Sequence, residues 1–239
     1  MPENYFGEEV AARYDDPSDS MFAASAIAPV VDVLADLAGA GAALELGIGT
    51  GRIALPLSAR GVRVAGIDLS EAMVARLRAK PGAEEVVVTI GDFATTRVAG
   101  TFSLVYLVFN TIGNLTTQNE QVACFENAAA HLEPGGCFVI ELGFGRGGAP
   151  LEVFDLSETH VGIDERDAAT QRLVSHHFSL VDGRWVRNSV PFRSVGPGEL
   201  DLMARIAGMT LRERWNGWKR EPFTSESTKH VSVWEKAPV

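Results

Sequence analysis

The stretch Ala43-Leu-Glu45-Leu-Gly47-Ile-Gly49-Thr-Gly51-Arg52 joins an apolar run to a G-x-G-x-G loop, with one acid two residues before the first glycine. Glycines at 47, 49 and 51 allow φ values that other residues avoid, and let bare backbone touch a ligand. Two further carboxylates each follow an apolar run: Asp68 after Val62–Ile67, and Asp92 after Glu85–Ile90. Asp68 suits the vicinal hydroxyls of a ribose, because a carboxylate accepts two hydrogen bonds side by side. Asp92 stands in Gly91-Asp92-Phe93. An acceptor beside an aromatic ring suits an adenine, which offers an exocyclic amine and a flat face. Together these positions describe a site for an adenosine-like ligand. The glycine spacing departs from the G-x-G-x-x-G of dinucleotide sites, which seats a pyrophosphate at a helix N-terminus. A cationic ligand with an amino-acid end fits Glu45 better. Its ammonium favours acids and backbone carbonyls, and its carboxylate can take Arg52 or backbone N–H groups.

For these residues to meet, the elements before them must end on one edge. Short apolar runs at Ala42–Leu46, Val62–Ile67, Glu85–Ile90, Phe102–Phe109 and Cys137–Leu142 read as strands. Helical runs at Arg52–Arg60, Glu71–Ala79 and Gln118–Leu132 fall between them. The first contains Pro56, which predicts a kink. Ser70 is placed to cap the second, and Thr117 with Glu120 forms a capping box for the third. Pro134-Gly135-Gly136 predicts a turn into the fifth strand. Strands alternating with helices imply parallel βαβ units, and ligands of such sheets bind beyond the carboxyl ends of the strands. The fold class is therefore α/β, a doubly wound and mostly parallel seven-stranded Rossmann-like sheet.

After Arg146-Gly147-Gly148-Ala149-Pro150, read as a linker, the pattern changes. Arg172–Val181, Asp182-Gly183 and Arg184–Pro191 predict a β-hairpin with a tight turn and one exposed face. Glu199–Ala207 reads as a helix, and Met209–Trp215 and Lys229–Lys236 as final strands. The expected organisation is a helical lid over 1–39, a cofactor-binding core over 40–149, an antiparallel elaboration over 150–196 and a closing helix and strand pair over 197–239.

Glu45-Leu-Gly47-Ile-Gly49-Thr-Gly51 resembles the first motif of the class I S-adenosylmethionine-dependent methyltransferases. Asp68-Leu69-Ser70 with Met73 resembles the second motif, and Gly91-Asp92-Phe93 the third. Phe109-Asn110-Thr111 stands where that family lines the methyl-transfer site, and Asn114 follows in the same loop. The hairpin layout is loosely similar to the branch that N-methylates amino sugars. The resemblance implies S-adenosyl-L-methionine as cofactor and a small-molecule acceptor methylated at N or O by in-line displacement. It also implies that Tyr14, in an N-terminal segment, folds over the cofactor. Glu141, at the end of the fifth strand, and His177 are candidates for handling an acceptor proton. His176 and His177 are adjacent on a strand and so face opposite ways.

Alternative roles stand beside these. Met73 and Leu77, four residues apart, also fit plain helix packing. Asn110 and Asn114 fit turn chemistry. The same fold without chemistry would be a binding protein for the cofactor, and a nicotinamide-dependent oxidoreductase is disfavoured by the glycine spacing. With 31 acidic residues against 21 Lys and Arg, the net charge of −10 argues against a nucleic-acid partner. Trp215, Trp218 and Trp234 accordingly read as core or rim. Phe22–Val31, the most apolar early run, is too short to span a bilayer. The N-terminus lacks the basic-then-apolar order of a signal peptide, and Cys124 and Cys137 form no CxxC pair, so a cytoplasmic protein is expected. No His/Cys/Asp cluster has metal-site spacing. The alternating hairpin face could roof an acceptor or join two copies in a homodimer.

Overall fold

A computed structural model describes residues 4–15, 20–144 and 149–238. Of the linker expected over Arg146–Pro150, residues 146–148 lie outside the described residues. Among the described residues, eleven strands form two sheets. The larger sheet contains β1 (Ala42–Leu46), β2 (Arg63–Asp68), β3 (Val87–Ile90), β4 (Phe102–Leu107), β5 (Leu132–Gly143), β10 (Met209–Trp215) and β11 (Lys229–Lys236). Its order is β10-β11-β5-β4-β1-β2-β3. β1 is parallel to both β2 and β4, β3 to β2, and β5 to β4, while β11 runs antiparallel to β5 and β10. The strand order reverses between β1 and β4, the place where sheets of this kind open a crevice at their carboxyl edge.

The inner strands β1, β4, β5 and β11 are apolar because both faces are covered. Side chains alternate between two clusters. Leu44, Leu46, Val105, Leu107, Phe138 and Trp234 pack toward α5 (Gln118–His131) and α6 (Pro197–Ile206). Ala43, Val64, Leu104, Tyr106 and Val139 pack toward α2 (Ala24–Ala38), α3 (Ala54–Ala59) and α4 (Glu71–Arg78). Of the stretch expected as a lid, α2 is therefore part of the packed core. Its Val30, Val31, Val33 and Leu34 are buried although Pro29 stands inside the helix. α1 (Glu8–Tyr14) and the chain before it remain free to cover the sheet edge.

The caps form as expected. Ser70 Oγ accepts from Met73 N, and Thr117 with Glu120 makes the full capping box. α3 is shorter than the predicted helix. Pro56 thus falls in its first turn, where a missing N–H removes no helical bond, and the expected kink is not needed. Pro134-Gly135-Gly136 is a bulge inside β5: Phe102 pairs with Leu132, but Leu104 already pairs with Cys137.

The second sheet is antiparallel, in the order β6 (Leu151–Leu156), β7 (His160–Asp167), β8 (Arg172–Val181) and β9 (Arg184–Arg193). β8 and β9 are the predicted hairpin. Asp182 and Gly183 both have positive φ, 50° and 74°, which matches the twist of a tight hairpin turn. β6 and β7 extend it. Arg193 ties this sheet to the core, donating to Gln121 Oε1 (2.5 Å), Gln171 Oε1 (2.5 Å) and Glu199 Oε1 (2.7 Å). No helix among the described residues is long and apolar enough to cross a membrane.

Candidate active site

The parallel strands deliver their carboxyl ends to one rim. Gly47 N and Ile48 N both donate to Ile67 O, and Gly91 N donates to Asp68 O, so three successive strand ends are stitched side by side. A cavity of about 110 Å³ opens above them, lined by Gly47, Gly49, Asp68, Leu69, Met73, Asp92, Phe93 and Asn114. Tyr14 lines it from above, together with Asn4, Tyr5 and Phe6, which the sequence reading did not single out. Thr111, of the Phe109-Asn110-Thr111 stretch, also lines it, as does Leu115, which was not anticipated.

Each lining residue is held by local geometry. Gly47 and Gly49 have φ of 72° and 55°. A Cβ on Gly47 would lie 2.7 Å from Thr111 Cγ2, so this position must stay bare. Asp68 Oδ2 accepts from Gly49 N at 2.7 Å and its Oδ1 from Ser70 N at 2.8 Å. Burial holds the Asp68 carboxyl above its ordinary range, against the pull of those two backbone donors. Asp92 Oδ1 accepts from Ala94 N at 2.9 Å. Both carboxylates keep lone pairs for further donors. The buried Asn114 Oδ1 has no partner among the described residues. A lone acceptor in a cavity is a vacancy for a donor.

The N-terminal segment is fastened across this cavity at two points. Ser70 Oγ donates to Phe6 O at 2.5 Å. Asp15 accepts from Thr50 Oγ1 at 2.6 Å and pairs with Lys80 Nζ at 2.7 Å. Tyr14 is packed edge-on between Phe6 and Phe22, and burial raises its hydroxyl above the ordinary tyrosine value.

Several residues singled out in the sequence lie outside this cavity. Glu45 is buried beneath the loop, where its carboxylate accepts from Tyr106 Oη at 2.9 Å. Burial pushes its pKa up to about 8. Gly51 has φ of 76°, and a Cβ there would come within 2.9 Å of Leu77 Cγ, so it serves the contact with α4. Leu77 itself is core. A Cβ on Gly91 would strike the Thr96 side chain at 2.3 Å. The Arg52 guanidinium stacks on Phe109 at 4.6 Å and donates to Met21 O.

The loop after β4 separates this cavity from a larger one of about 740 Å³, lined by Phe109, Asn110, Leu142, Gly143, Phe144 and residues of the second sheet that include His177. Phe109 and Asn110 are both left-handed, each with φ of 59°. Such a pair of non-glycine residues is strained and persists only where surroundings hold it. Glu141 does the holding. Its Oε2 accepts from Phe109 N at 3.0 Å, and its main-chain oxygen accepts from Asn110 N at 3.2 Å. Glu141 lines neither cavity. Asn110 Oδ1 accepts from Gly143 N at 2.6 Å. Phe109 is left 37 % exposed at the mouth between the two spaces.

His176 and His177 do face opposite ways. His176 engages Ser189 Oγ and Glu165 Oε2, whereas His177 engages His160 and Ser175. Among the described residues there is no cluster of three or more His, Cys, Asp or Glu able to hold a metal ion.

Comparison with known proteins agrees with this geometry. Residues 43–136 match the family described as the methyltransferase domain. Over the whole length of both chains, the structure is similar to the CcbJ methyltransferase of Streptomyces caelestis, with a TM-score of 0.89 and 34 % identity. This chain belongs to the class I S-adenosylmethionine-dependent methyltransferases. It is also 28 % identical to the cypemycin N-terminal methyltransferase of a Streptomyces species, across 81 % of this chain and 82 % of that one. A third relative is the dTDP-3-amino-3,4,6-trideoxy-α-D-glucopyranose N,N-dimethyltransferase of Streptomyces venezuelae, 33 % identical over 56 % of this chain and 53 % of its own. The oxidoreductase alternative is thereby set aside.

Proposed function

We propose that this methyltransferase binds S-adenosylmethionine in the smaller cavity and methylates the amine nitrogen of a small acceptor held in the larger one. The reading rests on one observation above all: Gly47, Asp68 and Asp92, from three separate strand ends, line a single cavity that is divided from a second by one loop. In this assignment Asp68 takes the ribose hydroxyls, Asp92 and Phe93 take the adenine, and the unpartnered Asn114 oxygen takes an N–H donor of the cofactor. Bare backbone at Gly47 and Gly49 admits the ligand to close range. The cofactor supplies an electrophilic methyl on a good leaving group. The chain's own work is then orientation, which alone can lower a barrier by about 7–11 kcal/mol.

Three further residues have assigned roles. Tyr14 roofs the cofactor. Glu141 is a positioning residue that fixes Phe109 at the junction of the two cavities. His177 is the group that takes a proton from the acceptor. The two buried free thiols, Cys124 and Cys137, suit a reducing cytoplasm. An amine acceptor is supported by two of the relatives, one named as an N,N-dimethyltransferase and one as a methyltransferase of an N-terminus, where a peptide carries its free α-amine.

The test uses methyl-labelled S-adenosylmethionine with two probes: the dTDP-linked 3-amino sugar, and a short peptide with a free α-amine. Label on the nitrogen of either probe is the expected result. Tight binding of S-adenosylhomocysteine with no transfer to any amine, hydroxyl or thiol in a small-molecule extract would instead mark a cofactor-binding protein.

A further inference from the structure

The second sheet brings together a pair of histidines that lie 17 residues apart in the chain. β7 and β8 pair so that His177 stands opposite Gly162. His160, two residues before Gly162, is on the same face and becomes a diagonal neighbour of His177. The two rings are 5.3 Å apart, with His160 Nε2 3.1 Å from His177 Nδ1. On the far side, His160 Nδ1 is 2.5 Å from Asp155 Oδ2. On the near side, His177 Nε2 is 3.3 Å from Ser175 Oγ. His177, Ser175 and Phe154 line the larger cavity, whereas His160 and Asp155 do not. The Asp155 side chain is 50 % exposed and that of His160 27 %, so the series runs from the cavity out to solvent. Gly162 is what permits it: a Cβ there would strike the Phe154 ring at 2.4 Å, and that ring lies edge-on to His177 at 5.4 Å.

Hydrogen-bond logic fixes the protons. A carboxylate only accepts, so His160 carries its proton on Nδ1. A neutral His160 then has a bare Nε2, which accepts from His177 Nδ1–H. A neutral His177 is left with a bare Nε2 on the cavity side. We propose that His160 and Asp155 are positioning residues that hold His177 in this tautomer, so that its Nε2 takes the proton from an acceptor amine in the larger cavity. The arrangement has the logic of a base oriented by a third group. An amine arriving as its ammonium gives one N–H proton to His177 Nε2. The bonding pair stays on the amine nitrogen, and the new imidazolium donates through Nδ1 to His160, which Asp155 backs. Water at the cavity mouth then takes the proton. The inference rests on the methyltransferase reading above, which assigns the larger cavity to the acceptor.

The charges around His177 suit this role. Burial is the first cause lowering its proton affinity and a protonated His160 the second, so that His177 stands neutral and able to accept. Asp164 and Asp155 oppose this, and His176 adds to it. Asp164, on β7, is tied to Arg166 at 2.8 Å. His176 points to the other face, toward Glu165. Across β9 the paired residue is Asn188, which is uncharged. Asp167, Arg172 and Arg193 are the remaining charged residues that line the cavity.

The test is nitrogen NMR of the full chain labelled at histidine, titrated with pH, alongside calorimetry with S-adenosylhomocysteine. In the wild type, neutral His177 should carry its proton on Nδ1. His160→Phe should move that proton toward Nε2 and lower the His177 titration midpoint, because the imidazolium loses the neutral acceptor that stabilises it. Asp155→Asn should lower the midpoint, because an attracting charge is gone. Affinity for S-adenosylhomocysteine should be the same in all three proteins. A proton on Nε2 in the wild type, or a His177 tautomer and midpoint that neither variant moves, overturns the inference while leaving cofactor binding intact. A wild type that fails to bind S-adenosylhomocysteine would remove the underlying reading, and the inference with it.

Discussion

The central strands of the seven-stranded sheet, β1 and β4, are buried along nearly their whole length, whereas β6, at the edge of the four-stranded sheet, is exposed at every residue. The difference divides the labour. The parallel sheet cannot move a residue without disturbing a packed layer, so its rim holds Gly47, Asp68 and Asp92 in fixed relation. The antiparallel sheet lies outside that packing. It supplies His160, His177 and Ser175 from strands that need satisfy only hydrogen bonds and one cavity wall. An invariant ligand is suited to the first kind of surface, and a variable acceptor to the second.

Substitutions can break or sharpen this contrast. The largest effect is expected at Phe125, which is fully buried and packs edge-on against Phe138 and Trp234 at 5.1 and 5.3 Å. Phe125→Ala should cost about 3–5 kcal/mol in denaturant unfolding. A cost under about 1 kcal/mol would mean that this layer is less tightly packed than the contacts imply.

At the rim, Asp68→Ala should weaken S-adenosylhomocysteine binding by roughly 10–100-fold, the equivalent of about 1.5–3 kcal/mol for hydrogen bonds to a charged group. Unchanged affinity in calorimetry would remove Asp68 from the ribose role.

Below the rim, Glu45 gives the parallel sheet a pH signature. Its folded pKa of about 8 lies above the ordinary 4.5. Between those values the unfolded chain is ionised at this position while the folded chain keeps the proton. Stability from this group is therefore full at low pH and is lost as pH rises toward 8. Glu45→Gln should remove that slope, with a relative gain on the order of 3 kcal/mol that accumulates from pH 5 to pH 8. Parallel melting curves for the two proteins across that range would contradict it.

The smallest effect belongs to the second sheet. Trp185, beside the hairpin turn, is 52 % exposed. Trp185→Ala should change stability by no more than about 0.5 kcal/mol. A larger loss would show that this surface is covered in solution.

The same contrast explains what could be read from the amino acids. The bounds of β1, β10 and β11, the caps at Ser70 and Thr117, and the Asp182-Gly183 turn are legible because burial and capping leave local marks. β6 and β7 are not legible in LEVFDL and HVGIDERD, since strands half-open to water carry no steady alternation. The rim follows from strand ends, so Gly47, Asp68 and Asp92 could be named in advance. The roof of Asn4, Tyr5 and Phe6 could not, because its contacts to Ser70 and the loop join positions 64 residues apart. Glu141 and Arg52 are acid and base at the expected edge, but their partners, Phe109 N and Met21 O, are main-chain atoms that no side-chain pattern announces. His160 needs the register of β7 on β8 before His177 becomes its neighbour.

The most direct measurement is a crystal structure of this chain with S-adenosylhomocysteine. The nucleoside should lie over Gly47 and Gly49, with its ribose hydroxyls on Asp68, its adenine between Asp92 and Phe93, and its sulfur toward Phe109 at the mouth of the larger cavity. A nucleoside bound elsewhere on the molecule, or one seated here with its sulfur turned away from that mouth, would contradict the account.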